Sequence, residues 1–149
     1  MRTLVLGLGN PILTDDGVGI RIAQKVREAR PELEVVETTE AGIALLDFIV
    51  GCDKLILVDS INTGYGKPGE LYKLEMETLK PAEGFSLSHG IDIATAFKLG
   101  HRLGYKMPEH VSLYAVGIRD NMTFGEECTR EVEKRLASIT RQIIKEEKL

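Results

Sequence analysis

The stretch Leu4–Gly19, LVLGLGNPILTDDGVG, decides the fold class of this chain. An apolar run typical of a buried strand ends in a glycine-rich turn, and two adjacent carboxylates, Asp15 and Asp16, follow it directly. Glycines allow the backbone to turn sharply where a side chain would clash. In a dinucleotide-binding fold such a turn faces a pyrophosphate, which needs neutral or positive surroundings. The acidic pair therefore indicates a bound cation or acid–base chemistry rather than phosphate binding.

Apolar runs alternate with helical patterns along the rest of the chain, which predicts an α/β fold. We expect a three-layer sandwich, phosphorylase/hydrolase-like, in which a mostly parallel, twisted sheet of about five strands carries helices on both faces. The apolar third strand is typical of one covered on both faces, and the short fourth strand is expected at an edge. The predicted strands are Thr3–Gly9, Leu33–Glu37, Lys54–Asp59, Glu70–Glu75 and Val111–Ile118.

Four helices are predicted between and after these strands. The last one carries an apolar stripe with helical spacing, formed by Val132, Leu136, Ile139 and Ile143. Loops are expected over 62–69 and 78–87, and no repeat or linker interrupts the chain. The predicted helices are Gly17–Arg30, Gly42–Val50, Ser88–Leu103 and Gly125–Glu147.

Composition narrows the class of protein. The 149 residues suit a single domain, 1–149, and the net charge of −4 predicts neither a nucleic-acid partner nor a membrane surface. No apolar run approaches the roughly 20 residues that span a bilayer, and a strand begins too early for a signal peptide. Cys52 and Cys128 form no C-x-x-C pair, so we interpret both as reduced thiols. We therefore expect a cytoplasmic protein. We also expect it to be a monomer.

The acidic residues fall where such a sheet binds ligands. Open α/β sheets bind ligands outside the carboxyl ends of their strands, where the strand order reverses. In the common order 2-1-3-4-5, Asp16 after strand one and Asp59 at the end of strand three meet across one crevice, and His89 can lie on the same rim. Two carboxylates and an imidazole suit a divalent transition metal. Alternatively, the two acids divide acid and base roles between them.

Each of these residues also has a purely structural interpretation. Asp15 or Asp16 could cap the following helix, because aspartate is favoured at that position. Asp59 could belong to an ordinary strand-end turn. Ser88 could cap the next helix, and the lone His89 beside it could be structural rather than a ligand. The remaining histidines, His101 and His110, are expected at the surface.

Rival families fail at particular positions. Gly7-Leu8-Gly9 begins a dinucleotide-binding G-x-G-x-x-G, but Ile12 stands where the third glycine belongs. Peptidyl-tRNA hydrolases share the GLGNP-like turn, but their catalytic His-Asn has no counterpart here, and the acidic balance disfavours tRNA. A serine hydrolase needs a G-x-S-x-G elbow, which is absent from the sequence. A pure binding module would leave the acids unexplained.

The segment Gly7–Gly19, GLGNPILTDDGVG, resembles the opening motif of the hydrogenase maturation endopeptidases. Three shorter motifs of that family follow in the same order, so the resemblance covers essentially the whole chain. They are Val58-Asp59-Ser60, Ser88-His89 and Val116-Gly117-Ile118.

This resemblance implies an endopeptidase that removes a C-terminal extension from the large-subunit precursor of a [NiFe]-hydrogenase after nickel insertion. It implies that the nickel is carried by the precursor, that no organic cofactor is used, and that Asp16, Asp59 and His89 bind the metal. Asp16 and Asp59 are the implied catalytic residues. The sequence leaves two roles of the nickel open. It either polarises the scissile carbonyl, or it serves only as the feature by which the enzyme recognises the precursor. Where many relatives carry Asp-Gly-Gly-Thr, this chain has ETTE from Glu37 to Glu40, so the glycine turn is lost.

Overall fold

The computed structural model describes residues 1–40, 42–62, 66–74, 86–87 and 90–149. Ser88, His89 and most of the predicted 78–87 loop lie outside these ranges. The strands are β1 (Thr3–Leu8), β2 (Glu34–Thr38), β3 (Lys54–Asn62), β4 (Leu71–Leu74), β5 (Ser86–Leu87) and β6 (His110–Gly117), and the α-helices are α1 (Val18–Ala29), α2 (Leu46–Ile49), α3 (Gly90–Arg102), α4 (Arg130–Glu133) and α5 (Leu136–Glu146).

The sheet runs in the order β2-β1-β3-β6-β4, with β5 paired to β3. The strands β2, β1, β3 and β6 are parallel, whereas β4 is antiparallel to β6 and β5 is antiparallel to β3. The expected order 2-1-3-4-5 is therefore wrong, because β6, which is the predicted fifth strand, lies between β3 and β4. The eight-residue β6 is buried over most of its length, whereas the short β4 is half-exposed and occupies the edge, as predicted.

Helices cover both faces of the sheet. Leu4, Leu6 and Leu8 of β1 pack in one core with α2 and α3, whereas Val5 packs in a second core with α1 and α5. This alternation follows from the two-residue period of a strand. The predicted three-layer α/β sandwich is confirmed, with the two-residue β5 as a sixth strand. Among the described residues, no helix is long and apolar enough to cross a membrane.

Several element boundaries differ from the sequence prediction. The strand β3 continues to Asn62, three residues beyond the expected end at Asp59. Two predicted helices begin with a 3-10 turn instead, over Thr14–Gly17 and Gly42–Leu45. The last helix does not start at Gly125, whose backbone bonds to the 12–14 segment, and it divides into α4 and α5. Its predicted apolar stripe is confirmed, because all four side chains are buried in the core beside α1.

The amino edge of the sheet holds a buried carboxylate, Glu147, which is 6% exposed. Tyr114 donates a hydrogen bond to it at 2.6 Å and Ser112 donates one at 3.0 Å, while the Lys54 ammonium lies 3.3 Å away. Burial alone would raise the pKa of Glu147, but these hydrogen bonds and the lysine charge bring it below its ordinary value. Glu147 therefore ties the end of the chain to β3 and β6 as a carboxylate.

Candidate active site

The acidic turn is built by close backbone contacts. Gly9, just after β1, has φ +150°, and a Cβ there would lie 2.1 Å from the carbonyl oxygen of Asp16. At Gly19 a Cβ would lie 2.4 Å from the carbonyl oxygen of Val58 and 2.5 Å from that of Leu8. Only glycine allows this approach. The two glycines therefore bring the start of α1 against β1 and β3, and they place Asp16 beside β3.

Asp59 lies inside β3, at the step where β1 ends. The pairing of β1 with β3 stops at Val58, whereas the pairing of β6 with β3 continues to Ile61. This step is also where the strand order reverses, since β1 is followed by β2 on one side and β3 lies on the other. The strand order therefore reverses between strands one and three, as predicted, although Asp59 is not at a strand end.

Ser60 joins the two acids. Its backbone amide donates to Oδ1 of Asp59 at 2.8 Å, and its hydroxyl donates to Oδ1 of Asp16 at 3.2 Å. The amide of Asn10 donates to the other Asp16 oxygen at 3.0 Å. Asp59 is 0% exposed and Asp16 is 9% exposed. Two carboxylates from distant parts of the chain therefore share one polar partner at the carboxyl edge of the sheet.

The other proposed metal ligand, His89, lies outside the described residues. Within the described ranges, no group of three His, Cys, Asp or Glu side chains is arranged to hold a metal ion. The metal site thus stays a prediction. His101 and His110 are exposed, as expected.

The helix-capping interpretation of the two aspartates is wrong for α1. The N-cap of α1 is Gly17, which has no side chain to bond the free amides of that helix turn. Asp15 and Asp16 each direct their carboxylates elsewhere, to different parts of the chain.

Asp15 is fully buried and organises a distant loop. Its Oδ2 accepts the backbone amides of Arg119 and Asp120, each at 3.0 Å. Its Oδ1 accepts the amide of Thr129 at 2.7 Å and the hydroxyl of the same residue at 3.0 Å. Sequence reasoning missed this role, because the partners lie more than a hundred residues away. Asp15 thus fixes the 119–129 segment against the turn that carries its neighbour.

Glu37 lies in β2, and its carboxylate is engaged with α1. Arg27 donates to it at 2.7 Å and Gln24 at 3.0 Å. Glu37 therefore forms a local ion pair with the neighbouring helix.

The two cysteines are free and buried. Burial raises the pKa of Cys128 to about 12, with the charge of Asp15 adding to the effect. Burial also raises the pKa of Cys52. A nucleophilic cysteine needs a lowered pKa and access to substrate, so neither thiol suits catalysis.

A family model described as hydrogenase maturation protease matches residues 5–146. The chain belongs to the hydrogenase maturation protease family. It is 38% identical over 80 residues to hydrogenase 2 maturation protease of Escherichia coli, an alignment covering 52% of this chain and 49% of that protein. It is 28% identical over 142 residues to the hydrogenase expression/formation protein HupD of Bradyrhizobium diazoefficiens, covering 91% of this chain and 72% of HupD.

The fold agrees with this assignment. The solved structure of the hydrogenase maturating endopeptidase HybD from E. coli superposes with a TM-score of 0.81 at 25% identity, covering 98% of this chain and 91% of HybD. Family membership confirms the interpretation of the chain as a protease and sets aside the dinucleotide-binding and peptidyl-tRNA hydrolase alternatives.

Proposed function

We propose that this protein is an endopeptidase that removes a C-terminal extension from the large-subunit precursor of a [NiFe]-hydrogenase after nickel insertion. Membership of the family supports the reaction class. The observation that carries the proposal is the pairing of Asp16 and Asp59 through Ser60 at the carboxyl edge of the sheet. The protein acts as a cytoplasmic monomer without an organic cofactor, and the nickel belongs to the substrate.

The two acids have different exposure and therefore different roles in this proposal. Both receive the nickel of the precursor, because carboxylates are common ligands of divalent transition metals. Asp16, the more exposed of the two, also meets water at the crevice surface and acts as the general base. Asp59 is fully buried, and the Ser60 amide holds one of its oxygens. The Ser60 hydroxyl orients Asp16.

His89 is the proposed third ligand of the nickel. It follows Leu87 by two residues, and Leu87 pairs with Ile61, which follows Asp59 by two residues. Two residues reach at most about 7 Å along the chain. Because β5 runs antiparallel to β3, its direction leads back toward Asp59. This register supports the assignment of His89 to the same rim.

The proposed nickel recognition has a simple electrostatic reason. Two carboxylates in one crevice repel each other and the carboxylates of ordinary peptides, whereas a divalent cation relieves this repulsion. Much of the substrate affinity then depends on one charge-matched contact. The metal-free precursor should therefore bind poorly, and generic proteins should not be cut.

The direct experiment compares nickel-loaded and metal-free forms of one precursor at equal concentration, with mass spectrometry of the released C-terminal peptide. We expect the parent protein to cut only the loaded form. Asp16→Asn should abolish cutting, whereas Asp47→Asn, the same change at an exposed position on α2, should leave it unchanged. Equal cleavage of both forms, or ready digestion of casein, would overturn the nickel-recognition model.

A further inference from the structure

Two loops beside Asp16 are joined by their backbones. The amide of Gly125 donates to the carbonyl of Ile12 at 2.9 Å, and the amide of Thr14 donates to the carbonyl of Gly125 at 3.0 Å. Leu13 and Gly125 form a parallel bridge, and the Thr14 hydroxyl donates to the carbonyl of Thr123. The turn that carries Asp16 and the 119–125 loop therefore form one continuous surface.

This surface presents large apolar side chains to solvent. Ile12 is 49% exposed, Met122 is 83% exposed and Phe124 is 80% exposed; we call these three residues the apolar rim. Single exposed apolar residues are common, but these three lie on two segments that are bonded together. The Asp120 carboxylate accepts the amides of Met122 and Thr123, each at 2.9 Å, so the exposed positions are carried on a held loop.

An acidic cavity adjoins the apolar rim. It has a volume of about 500 Å³, and Ile12 lines it. Three exposed carboxylates and one guanidinium supply its charge, which is therefore negative. The other lining residues are Pro11, Arg21, Glu126, Glu127 and Glu133. A partner that covers the rim would place basic side chains favourably in this cavity.

We propose that the apolar rim is a docking surface for the large-subunit precursor, which covers it with apolar side chains and enters the acidic cavity with lysine or arginine. This inference rests on the proposed function. It follows from continuity: the rim shares a turn with Asp16, so a protein held at Asp16 for cleavage lies against Ile12 and the loop bonded to it. Asp15 fixes that loop before the substrate arrives, which lowers the ordering cost of binding.

The test compares the double variant Met122→Ser/Phe124→Ser with the control Leu103→Ser/Tyr105→Ser. The control residues are 55% and 48% exposed and lie past the end of α3, where Lys106 contacts Asp53 at the amino edge of the sheet. Loss of two apolar anchors from an interface should raise KM for the nickel-loaded precursor about tenfold or more, with kcat unchanged. The control variant should match the parent.

A second measurement tests the charged part of the docking surface. The double variant Glu126→Gln/Glu127→Gln should raise KM at low salt and flatten its dependence on ionic strength. Circular dichroism should show that all variants fold, because every substituted side chain is exposed. An unchanged KM in both double variants would overturn the docking proposal. The proposed function would still stand if the parent protein cuts the nickel-loaded precursor.

Binding measured by calorimetry separates the remaining outcomes. If the parent binds the precursor without cutting it, the proposed function fails, and the ratio of Kd between variant and parent still decides the docking surface. If the parent does not bind the precursor, both fail. If sedimentation shows a dimer that Met122→Ser/Phe124→Ser dissociates, the rim binds a second copy of this chain and the docking proposal is overturned.

Discussion

Replacing each of the two adjacent aspartates by asparagine should separate stability from activity. Asp15→Asn leaves one oxygen where the carboxylate accepts four hydrogen bonds, from the amides of Arg119, Asp120 and Thr129 and from the Thr129 hydroxyl. The new NH₂ group faces donors, so about two bonds to a charged acceptor are lost. At about 1.5–3 kcal/mol each, we expect the free energy of unfolding to fall by about 3–6 kcal/mol.

Asp16→Asn should cost much less. The carboxamide oxygen can still accept the Asn10 amide, and the Ser60 hydroxyl can rotate to accept from the new NH₂ group. Loss of a charge beside Asp59 also relieves repulsion. We expect the stability to stay within about 1 kcal/mol of the parent or to rise, while processing of the precursor is abolished.

Equilibrium unfolding in urea, followed by circular dichroism, measures both changes. For a chain of this length, a loss of about 3–6 kcal/mol lowers Tm by roughly 6–24 °C, which thermal melts resolve easily. Activity is measured well below both Tm values, where Asp15→Asn should still process precursor. If Asp15→Asn is as stable as the parent, the hydrogen bonds of Asp15 do not stabilise the fold as calculated. If Asp16→Asn loses as much stability as Asp15→Asn, the two aspartates do not have separate roles.

Three further predictions concern the glycine turn, the buried carboxylate at the amino edge and metal binding. Gly9→Ala should lower the free energy of unfolding by more than about 3 kcal/mol, because the new Cβ meets the Asp16 carbonyl. Gly104 has φ +73° but open space around it, so Gly104→Ala should lower it by only about 1–2 kcal/mol, and thermal melts compare the two variants. Folding lowers the pKa of Glu147, so the ionised carboxylate stabilises the fold above about pH 4.3, and this stabilisation is lost as the pH falls through the folded-state pKa. Glu147→Gln should therefore be less stable than the parent at neutral pH, and the difference between the two proteins should shrink in acid. A difference that does not change with pH would contradict this. The free protein should bind Ni²⁺ weakly in calorimetry and His89→Ala more weakly still, whereas an ion that survives dialysis against a chelator would count against an open site.

The sequence allowed the fold class and the approach of Asp16 to Asp59 to be predicted because both depend on local patterns. The apolar run from Leu4 and the glycines around Asp16 specify a strand, a tight turn and a helix within twenty residues. A parallel sheet then brings Asp59 to the same edge. The hydrophobicity pattern could not reveal that β3 continues past Asp59, because the polar residues Ser60 and Asn62 interrupt the apolar run. Both residues nevertheless pair with neighbouring strands.

Contacts between residues far apart in the chain could not be predicted, because no local sequence pattern specifies them. The early start of the last predicted helix followed from a helical pattern after Gly125, but Gly125 is bonded to Ile12 and Thr14, far away in the chain. The place of β6 between β3 and β4 likewise joins strands that are far apart in the chain. A single sequence gives no signal for such pairings.

The adjacent residues Asp15 and Asp16 link β3 to the 119–129 segment. Asp16 bonds to Ser60 of β3, whereas Asp15 bonds to the 119–129 segment. The two carboxylates are separated by one peptide unit in a 3-10 turn, so the crevice and the loop cannot move apart without breaking buried hydrogen bonds at one of them. A precursor that docks on the loop is therefore presented to Asp16 in a fixed register. Substitutions in the loop should alter which substrate is held, and substitutions at Asp16 should alter whether it is cut.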